Sequence, residues 1–325
     1  MNDKELAAVK LMNEYGNNKI PFLFIIDFEI NQPIVIKLSE VNPSNILFNI
    51  NGKKNYDIKT ILSNSVLFEK QPISYENYIP VYENILNEIN AGNTYLLNLT
   101  FPTQISTNLT LEQIFLLSRA EYKLLYKKKF VVFSPESFVK ISEGIISSFP
   151  MKGTIDASIE NAEQVILNDP KEIAEHNTIV DLIRNDLSMV SKNVRVEKFR
   201  YVEKIKTNSK ILLQVSSKIC GDVGNDYNSR IGEIIFNLLP AGSISGAPKK
   251  KTVDIIKSTE IYSRGYYTGI FGYYDGSTLD SGVMIRFIEL TDEGLIFKSG
   301  GGITFMSTPE SEYQEMIDKV YVPIT

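Results

Sequence analysis

A lysine held between an apolar residue and a glycine can act as a nucleophile, and Phe149-Pro150-Met151-Lys152-Gly153-Thr154 contains one. Burial disfavours the ammonium form, so Lys152 is expected with a lowered pKa, and the neutral amine attacks carbon. Gly153 would let a ligand approach the backbone, and Thr154 adds a hydroxyl. The plainer reading is a turn with a solvated lysine. Two Glu-x-x-Glu spacings, Glu172 with Glu175 and Glu312 with Glu315, lie near expected helix N-termini. Residues three apart share a helix face. If the two faces converge, four carboxylates repel one another unless a cation sits between them. Oxygen donors without thiolate favour Mg2+. The alternative is two acidic first turns matched to the helix dipole, with Glu172 as a cap.

Three further groups could carry chemistry. Glu136, after Ser134-Pro135, is expected just inside a helix. It either complements the dipole there or, if burial raises its pKa, acts as a general acid. The small-residue run 241–248, which includes Ser243, and Ser299-Gly300-Gly301-Gly302-Ile303 can present backbone N–H groups to an anion. Tight turns would use the same glycines. Neither run has P-loop spacing, and the glycine triplet lacks the later glycine of a dinucleotide fingerprint. Arg286, after Val283-Met284-Ile285 in an expected interior strand, needs an anionic partner. That partner is either a structural Asp or Glu or a ligand carboxylate gripped bidentately. Tyr267 belongs to the same segment.

Composition narrows the class. The 325 residues suffice for one large core or two smaller ones. With 34 Lys+Arg against 39 Asp+Glu the net charge is -5, which supplies no basic field for nucleic acid. No apolar run is long enough to span a bilayer, and the N-terminus lacks a signal-peptide pattern. The lone Cys220 rules out an internal disulfide and points to a reducing, cytoplasmic setting. It is expected as a small core residue. With one cysteine and one histidine, His176, the chain is poorly equipped for a Cys/His zinc site or a Ser-His-Asp site.

Periodicity gives the elements that must hold these groups. Helices are expected at 4–15, at 75–91 with Tyr78, Tyr82, Ile85 and Ile89 on one face, at 111–126 and at 159–167. Another starts at Pro170, capped by Asp169, with Ile173, Val180, Ile183 and Leu187 inward. More are expected at 227–239, at 249–258 and from Pro309. Strands are expected at 21–28 and 34–38, joined as a hairpin, and at 95–101, 130–133, 194–201 and 211–220. Residues 42–55 read as an Asn-rich loop. From Tyr266 to Ile303 strands alternate with tight turns, an expected antiparallel meander. The order implies an α+β fold with antiparallel sheets, not a doubly wound one.

Seven motifs occur in one order: 149–154, Ala174-Glu175-His176 with 180–187, 240–249, 264–269, Met284-Ile285-Arg286, 300–303 and Glu312-Tyr313-Gln314-Glu315. Together they resemble the chorismate-utilising enzymes, and most resemble the aminodeoxychorismate synthase component I branch. The resemblance implies one anthranilate-synthase-like α+β domain over 1–325, with two antiparallel sheets face to face and helices outside. Residues 1–74 are its shortened N-terminal part and 75–325 carry the motifs. It also implies Mg2+-dependent amination of chorismate by ammonia to 4-amino-4-deoxychorismate, toward para-aminobenzoate and folate. By resemblance Glu175 and Glu315 hold Mg2+, with Glu172 and Glu312 bound directly or through water, and the metal holds the ring carboxylate. Gly153 and Thr154 flank that carboxylate. Tyr267, Arg286 and the amides of Gly300 and Gly302 match the enolpyruvyl carboxylate site, and Ser243 and Gly301 are further substrate-binding candidates. Lys152 matches the lysine that attacks C2, and Glu136 the acid that protonates the departing 4-hydroxyl.

The resemblance also sorts the branches. Anthranilate synthases typically carry alanine where Lys152 stands. Isochorismate synthases place a water-activating lysine in the segment matching 95–99, where this chain has Leu96 and Leu97. The chain departs from the usual pattern at Leu96, where glutamine is common, and at Leu213, where a histidine linked to lyase chemistry is common. Two readings from other classes are a non-catalytic dicarboxylate binder and a nucleotide binder, the latter weakened by the failed P-loop spacing. A glutaminase needs a cysteine with a histidine base. Ammonia is therefore expected from a separate glutaminase subunit.

Overall fold

The computed structural model describes residues 2–58, 65–206 and 211–324. Helix α1 (Asp3–Asn17) opens with a capping box between Asn2 and Glu5 and leads into the hairpin β1 (Phe22–Ile26) and β2 (Ile34–Lys37). The Asn-rich stretch is not a loop, because β3 (Ile46–Ile50) and β4 (Lys53–Lys54) pair there. Ile46, Leu47, Phe48 and Ile50 are buried, and the asparagines tie the ends. Asn55 accepts the Phe48 N–H at 2.9 Å and donates to Ile46 O at 2.8 Å. After β5 (Phe68–Gln71), α2 (Tyr75–Asn90) buries the expected Tyr78, Tyr82, Ile85 and Ile89.

Strand β6 (Leu96–Thr107) runs longer than its apolar core. The helix expected over 111–126 divides into α3 (Leu111–Leu117) and the strand β7 (Tyr122–Tyr126). Between β8 (Phe130–Ser134) and β9 (Ser137–Ser142) lies Glu136, at a break between strands and not at a helix start. There follow β10 (Ile145–Ser148), β11 (Met151–Asp156), α4 (Ala162–Asn168) and α5 (Pro170–Ser188). Next come β12 (Lys192–Lys206) and β13 (Ile211–Asp222). The helix expected at 227–239 is a 3-10 turn, Tyr227–Arg230, continued by α6 (Ile231–Asn237). The small-residue loop folds into α7 (Gly242–Ser245) and β14 (Gly246–Ala247) before α8 (Lys249–Thr259).

The expected meander is split between two sheets. β15 (Ile270–Tyr274) pairs with β16 (Leu279–Val283) in one, and β17 (Phe287–Thr291) with β18 (Gly294–Ile303) in the other. The chain crosses at Met284-Ile285-Arg286, where Arg286 has φ 51. Arg286 is thus a left-handed crossover residue and not part of a strand. Helix α9 (Pro309–Asp318) starts at Pro309 as expected.

Each sheet has nine strands among the described residues, and their pairings are antiparallel. One runs β11-β13-β10-β9-β16-β15-β1-β2, with β12 also on β13; the other runs β14-β6-β18-β17-β8-β7-β3-β4, with β5 also on β6. Leu23 and Ile25 of β1 share a core with Phe48, Leu124, Val132 and Phe287 of the opposite sheet. Alternate residues turn outward. Phe22, Phe24 and Ile26 cluster with Val9 and Met12 of α1, and Leu125, Val131 and Phe133 with Ile114 and Phe115 of α3. These strands are covered on both faces, which is why they read as unbroken apolar runs. The architecture is the expected α+β one, two facing antiparallel sheets with helices outside. Among the described residues no helix is long and apolar enough to cross a membrane.

Candidate active site

Strand β11 meets β13 with Met151 opposite Ser216 and Thr154 opposite Gln214, so β11 carries one extra residue at Lys152-Gly153. Such a bulge re-aims side chains. Gly153 has φ +80, and a Cβ there would stand 2.9 Å from Glu172 Oε2. The left-handed backbone is what favours glycine here. Lys152 lines a cavity of about 480 Å³ shared with Glu136, Gly153, Thr154, Glu172, Glu175, Ser243, Tyr267, Arg286, Gly300, Gly301, Gly302 and Glu315. Of the candidate catalytic, substrate and metal residues, Glu312 alone does not line the cavity and is 3% exposed.

The two acidic helix faces do converge. Asp169 accepts the Glu172 N–H at 2.9 Å and starts α5, which brings Glu172 and Glu175 to the cavity. A Cβ on Gly301 would lie 3.2 Å from Glu315 Oε1 and 3.4 Å from Glu312 Oε2, so the Gly301 backbone lies against the α9 pair, of which Glu315 reaches the cavity. Lysines meet these carboxylates. Lys152 Nζ donates to Glu175 Oε2 at 3.1 Å. Lys171 Nζ lies 3.9 Å from Glu175 Oε1 and 3.4 Å from Glu312 Oε1. Lys319 Nζ donates to Glu315 Oε1 at 2.5 Å and to Gly300 O at 2.8 Å.

This company reverses one expectation. Burial alone would lower the Lys152 pKa, but the carboxylates of Glu175, Glu315 and Glu172 outweigh it and raise the value above that of an ordinary lysine. Lys152 rests as a cation. Burial raises Glu172 and Glu312. For Glu315 burial is overcome by Lys319, and its carboxyl is held low.

In the same cavity Glu136 is pushed up by burial, against the pull of the Ser243 hydroxyl and of Lys152, Lys319 and Arg286. Ser243 Oγ donates to Glu136 Oε1 in a short hydrogen bond. A carboxyl biased toward its protonated form beside a cavity suits a general acid. Arg286 makes no ion pair among the described residues, and its Nε has no hydrogen-bond partner. Its guanidinium lies 5.3 Å from the Tyr321 ring centre, with its head at the cavity. Among the described residues no structural Asp or Glu pairs with it, which leaves the group available to an anion. Tyr267 is buried beside it against Phe287, and burial raises its pKa.

Buried ion pairs hold the small-residue segment in place. Arg264 pairs with Glu260 at 2.6 Å and donates to Ile244 O at 2.9 Å and Asn98 O at 2.6 Å. Lys249 pairs with Asp186 at 2.8 Å. Lys171 and Lys319 were missed in the sequence. Their i,i+4 spacing to Glu175 and Glu315 was the available signal. Gln214 also lines the cavity beside Thr154, and Leu96 lies against Gly302. Cys220 is buried with Ser147 and Glu197 as partners, while His176 Nε2 lies 2.7 Å from Ser217 Oγ. These different partners leave no cysteine–histidine pair.

The donor set fits a hard cation in kind: carboxylate oxygens from two helices around a glycine backbone. Among the described residues no three acidic, histidine or cysteine side chains are drawn into a metal-sized cluster, and the lysines stand between them.

The uncharacterized PabA-like protein of Pasteurella multocida (strain Pm70) is 51% identical over 319 residues, 98% of each chain. The aminodeoxychorismate synthase component 1 of Bacillus subtilis (strain 168) is 29% identical over 265 residues, 77% of this chain and 55% of that one. The anthranilate synthase component 1 of Acetivibrio thermocellus is 36% identical over 194 residues, 57% of this chain and 38% of that one. In three dimensions the menaquinone-specific isochorismate synthase of Escherichia coli matches 98% of this chain and 80% of its own, with TM-score 0.73 at 15% identity, a likeness of fold. The chorismate binding enzyme family matches residues 40–325, and the chain belongs to that family.

Proposed function

We propose that the chain aminates chorismate with ammonia to 4-amino-4-deoxychorismate through a covalent adduct on Lys152. One observation carries the reading: a lysine and a raised-pKa carboxyl, Lys152 and Glu136, line one cavity with an arginine, Arg286, that has no acidic partner among the described residues. Arg286 and Tyr267, with the Gly300–Gly302 backbone, take the enolpyruvyl carboxylate. Lys152 Nζ forms a bond to C2, both ring double bonds shift, C1=C2 to C1=C6 and C5=C6 to C4=C5, and the C4–O bond breaks. Glu136 gives its proton to that oxygen, which leaves as water. Ammonia then bonds to C4, both double bonds shift back, and the C2–Nζ bond breaks to free Lys152 as the neutral amine. Attack needs a neutral amine, so the carboxylates that hold Lys152 charged must first be neutralised. Mg2+ held by Glu175 and Glu315, with Glu172 and Glu312 behind, would supply that neutralisation and grip the ring carboxylate. A separate glutaminase subunit would deliver the ammonia.

The B. subtilis relative supports this reading by its name. The A. thermocellus relative favours a second one, conversion of chorismate to anthranilate. Lys152 in place of the usual alanine and Leu213 in place of the usual histidine weigh against it. Incubation with chorismate, Mg2+ and ammonium, with the product identified by mass, separates them. Aminodeoxychorismate is expected; anthranilate, or no turnover, overturns the proposal.

A further inference from the structure

Lys171 is a lysine between the acidic faces of α5 and α9 that the proposed reaction does not use. Its Nζ lies 3.9 Å from Glu175 Oε1 and 3.4 Å from Glu312 Oε1. Lys152 and Lys319 make hydrogen bonds to the glutamate of one helix each, whereas Lys171 spans both. Its position is unfavourable for the helix itself. Lys171 is in the first turn of α5, where the dipole disfavours a cation. The two carboxylates are what hold its head there. The Lys171 side chain is 36% exposed, against 11% for Glu175 and 2% for Glu312. A flexible stem rooted at the surface thus reaches in over buried acids, and the same stem can carry the ammonium back to water.

We propose that Lys171 is a built-in counter-cation that closes the Glu175–Glu312 pair until a divalent cation displaces it. The inference rests on the Mg2+ reading of the site. Lys171 occupies Glu175 Oε1 and Glu312 Oε1, and its charge repels a divalent cation at those carboxylates, so the lysine contact is subtracted from the divalent affinity. By the same linkage it stabilises the metal-free fold. This also accounts for carboxylates that converge without forming a metal-sized cluster among the described residues: Glu175, Glu312 and Glu315 each face a lysine.

The test is calorimetric titration of the full chain with Mg2+, without chorismate, alongside melting curves. Lys171→Gln should bind Mg2+ about 5- to 150-fold more tightly than wild type. Its metal-free melting temperature should drop by roughly 2–4 °C, and Mg2+ should restore it. Lys171→Arg keeps the charge and should stay near wild type. Glu175→Gln should lose the binding. Equal or weaker Mg2+ affinity in Lys171→Gln, with a wild-type site that Glu175→Gln abolishes, overturns the inference and leaves the metal reading standing. If neither wild type nor Lys171→Gln binds Mg2+, both fall. Binding by Lys171→Gln alone would show the competition at its strongest.

Discussion

Lys152 Nζ donates to Glu175 Oε2 at 3.1 Å, so the proposed nucleophile rests in an ion pair with a proposed metal ligand. The pair stores the amine in its unreactive form and ties nucleophilicity to whatever neutralises Glu175. With chorismate and Mg2+ but no ammonia, an adduct should accumulate on the peptide containing Lys152, seen by mass after rapid quench. Lys152→Ala should show none and should aminate much more slowly. Wild-type turnover by Lys152→Ala would remove the lysine from the mechanism.

Glu136 must be protonated when the C4 oxygen leaves, so activity should fall as pH rises through its elevated pKa. The Ser243 hydroxyl bonds to the ionised form and pulls that pKa down. Ser243→Ala should therefore move the alkaline limb of the kcat/KM profile to higher pH. Glu136→Gln should cost about 10²–10⁴-fold in kcat. A limb that stays in place or moves down in Ser243→Ala would mean that another group titrates.

Glu175→Gln and Glu315→Gln should abolish measurable activity at limiting Mg2+. Glu172→Gln and Glu312→Gln should be milder, about 10–100-fold. Glu312 is the sharper case, because it does not line the cavity. Activity assayed across a Mg2+ series ranks the four. Wild-type activity in Glu175→Gln would make the metal assignment wrong.

The purified chain should use ammonium and not glutamine. Cys220 is engaged with Ser147 and Glu197, and His176 with Ser217, so no thiolate–imidazole pair exists to open an amide. Glutamate release from glutamine by the chain alone would contradict this.

His176 should make the fold acid-sensitive. Burial, then the charges of Arg200 and Lys152, lower its pKa to about 4 from the ordinary 6.5. A depressed value means stability that is present above pH 6.5 and lost as pH falls toward 4. The full loss across that window is about 3 kcal/mol. Urea midpoints at pH 7 and pH 5 should differ less in His176→Phe than in wild type. Equal differences would place the acid sensitivity elsewhere.

Some of this was legible in the sequence because it is local. The Asp169-Pro170 start of α5, the tyrosine face of α2 and the Pro309 start of α9 depend on residues within a few positions of one another. The motif order gave the fold class and the cavity-lining residues. Local patterns failed where burial is two-sided. Tyr122 and Leu124 face one core and Leu125 another, so β7 has no strand alternation to show. The split of the expected meander turns on three residues, Met284-Ile285-Arg286, whose crossover between sheets leaves no periodic mark.

The sequence by itself determined which residue types were present for chemistry: a lysine beside a glycine, two spaced glutamate pairs, an acid and an arginine. Only the tertiary structure decided their electrical state. Lys152 is charged because α5 and α9 bring Glu175 and Glu315 to it from 23 and 163 positions away in the chain (175 − 152 and 315 − 152). Coulomb energy depends on distance through space and on the dielectric between the charges, neither of which is written in sequence spacing.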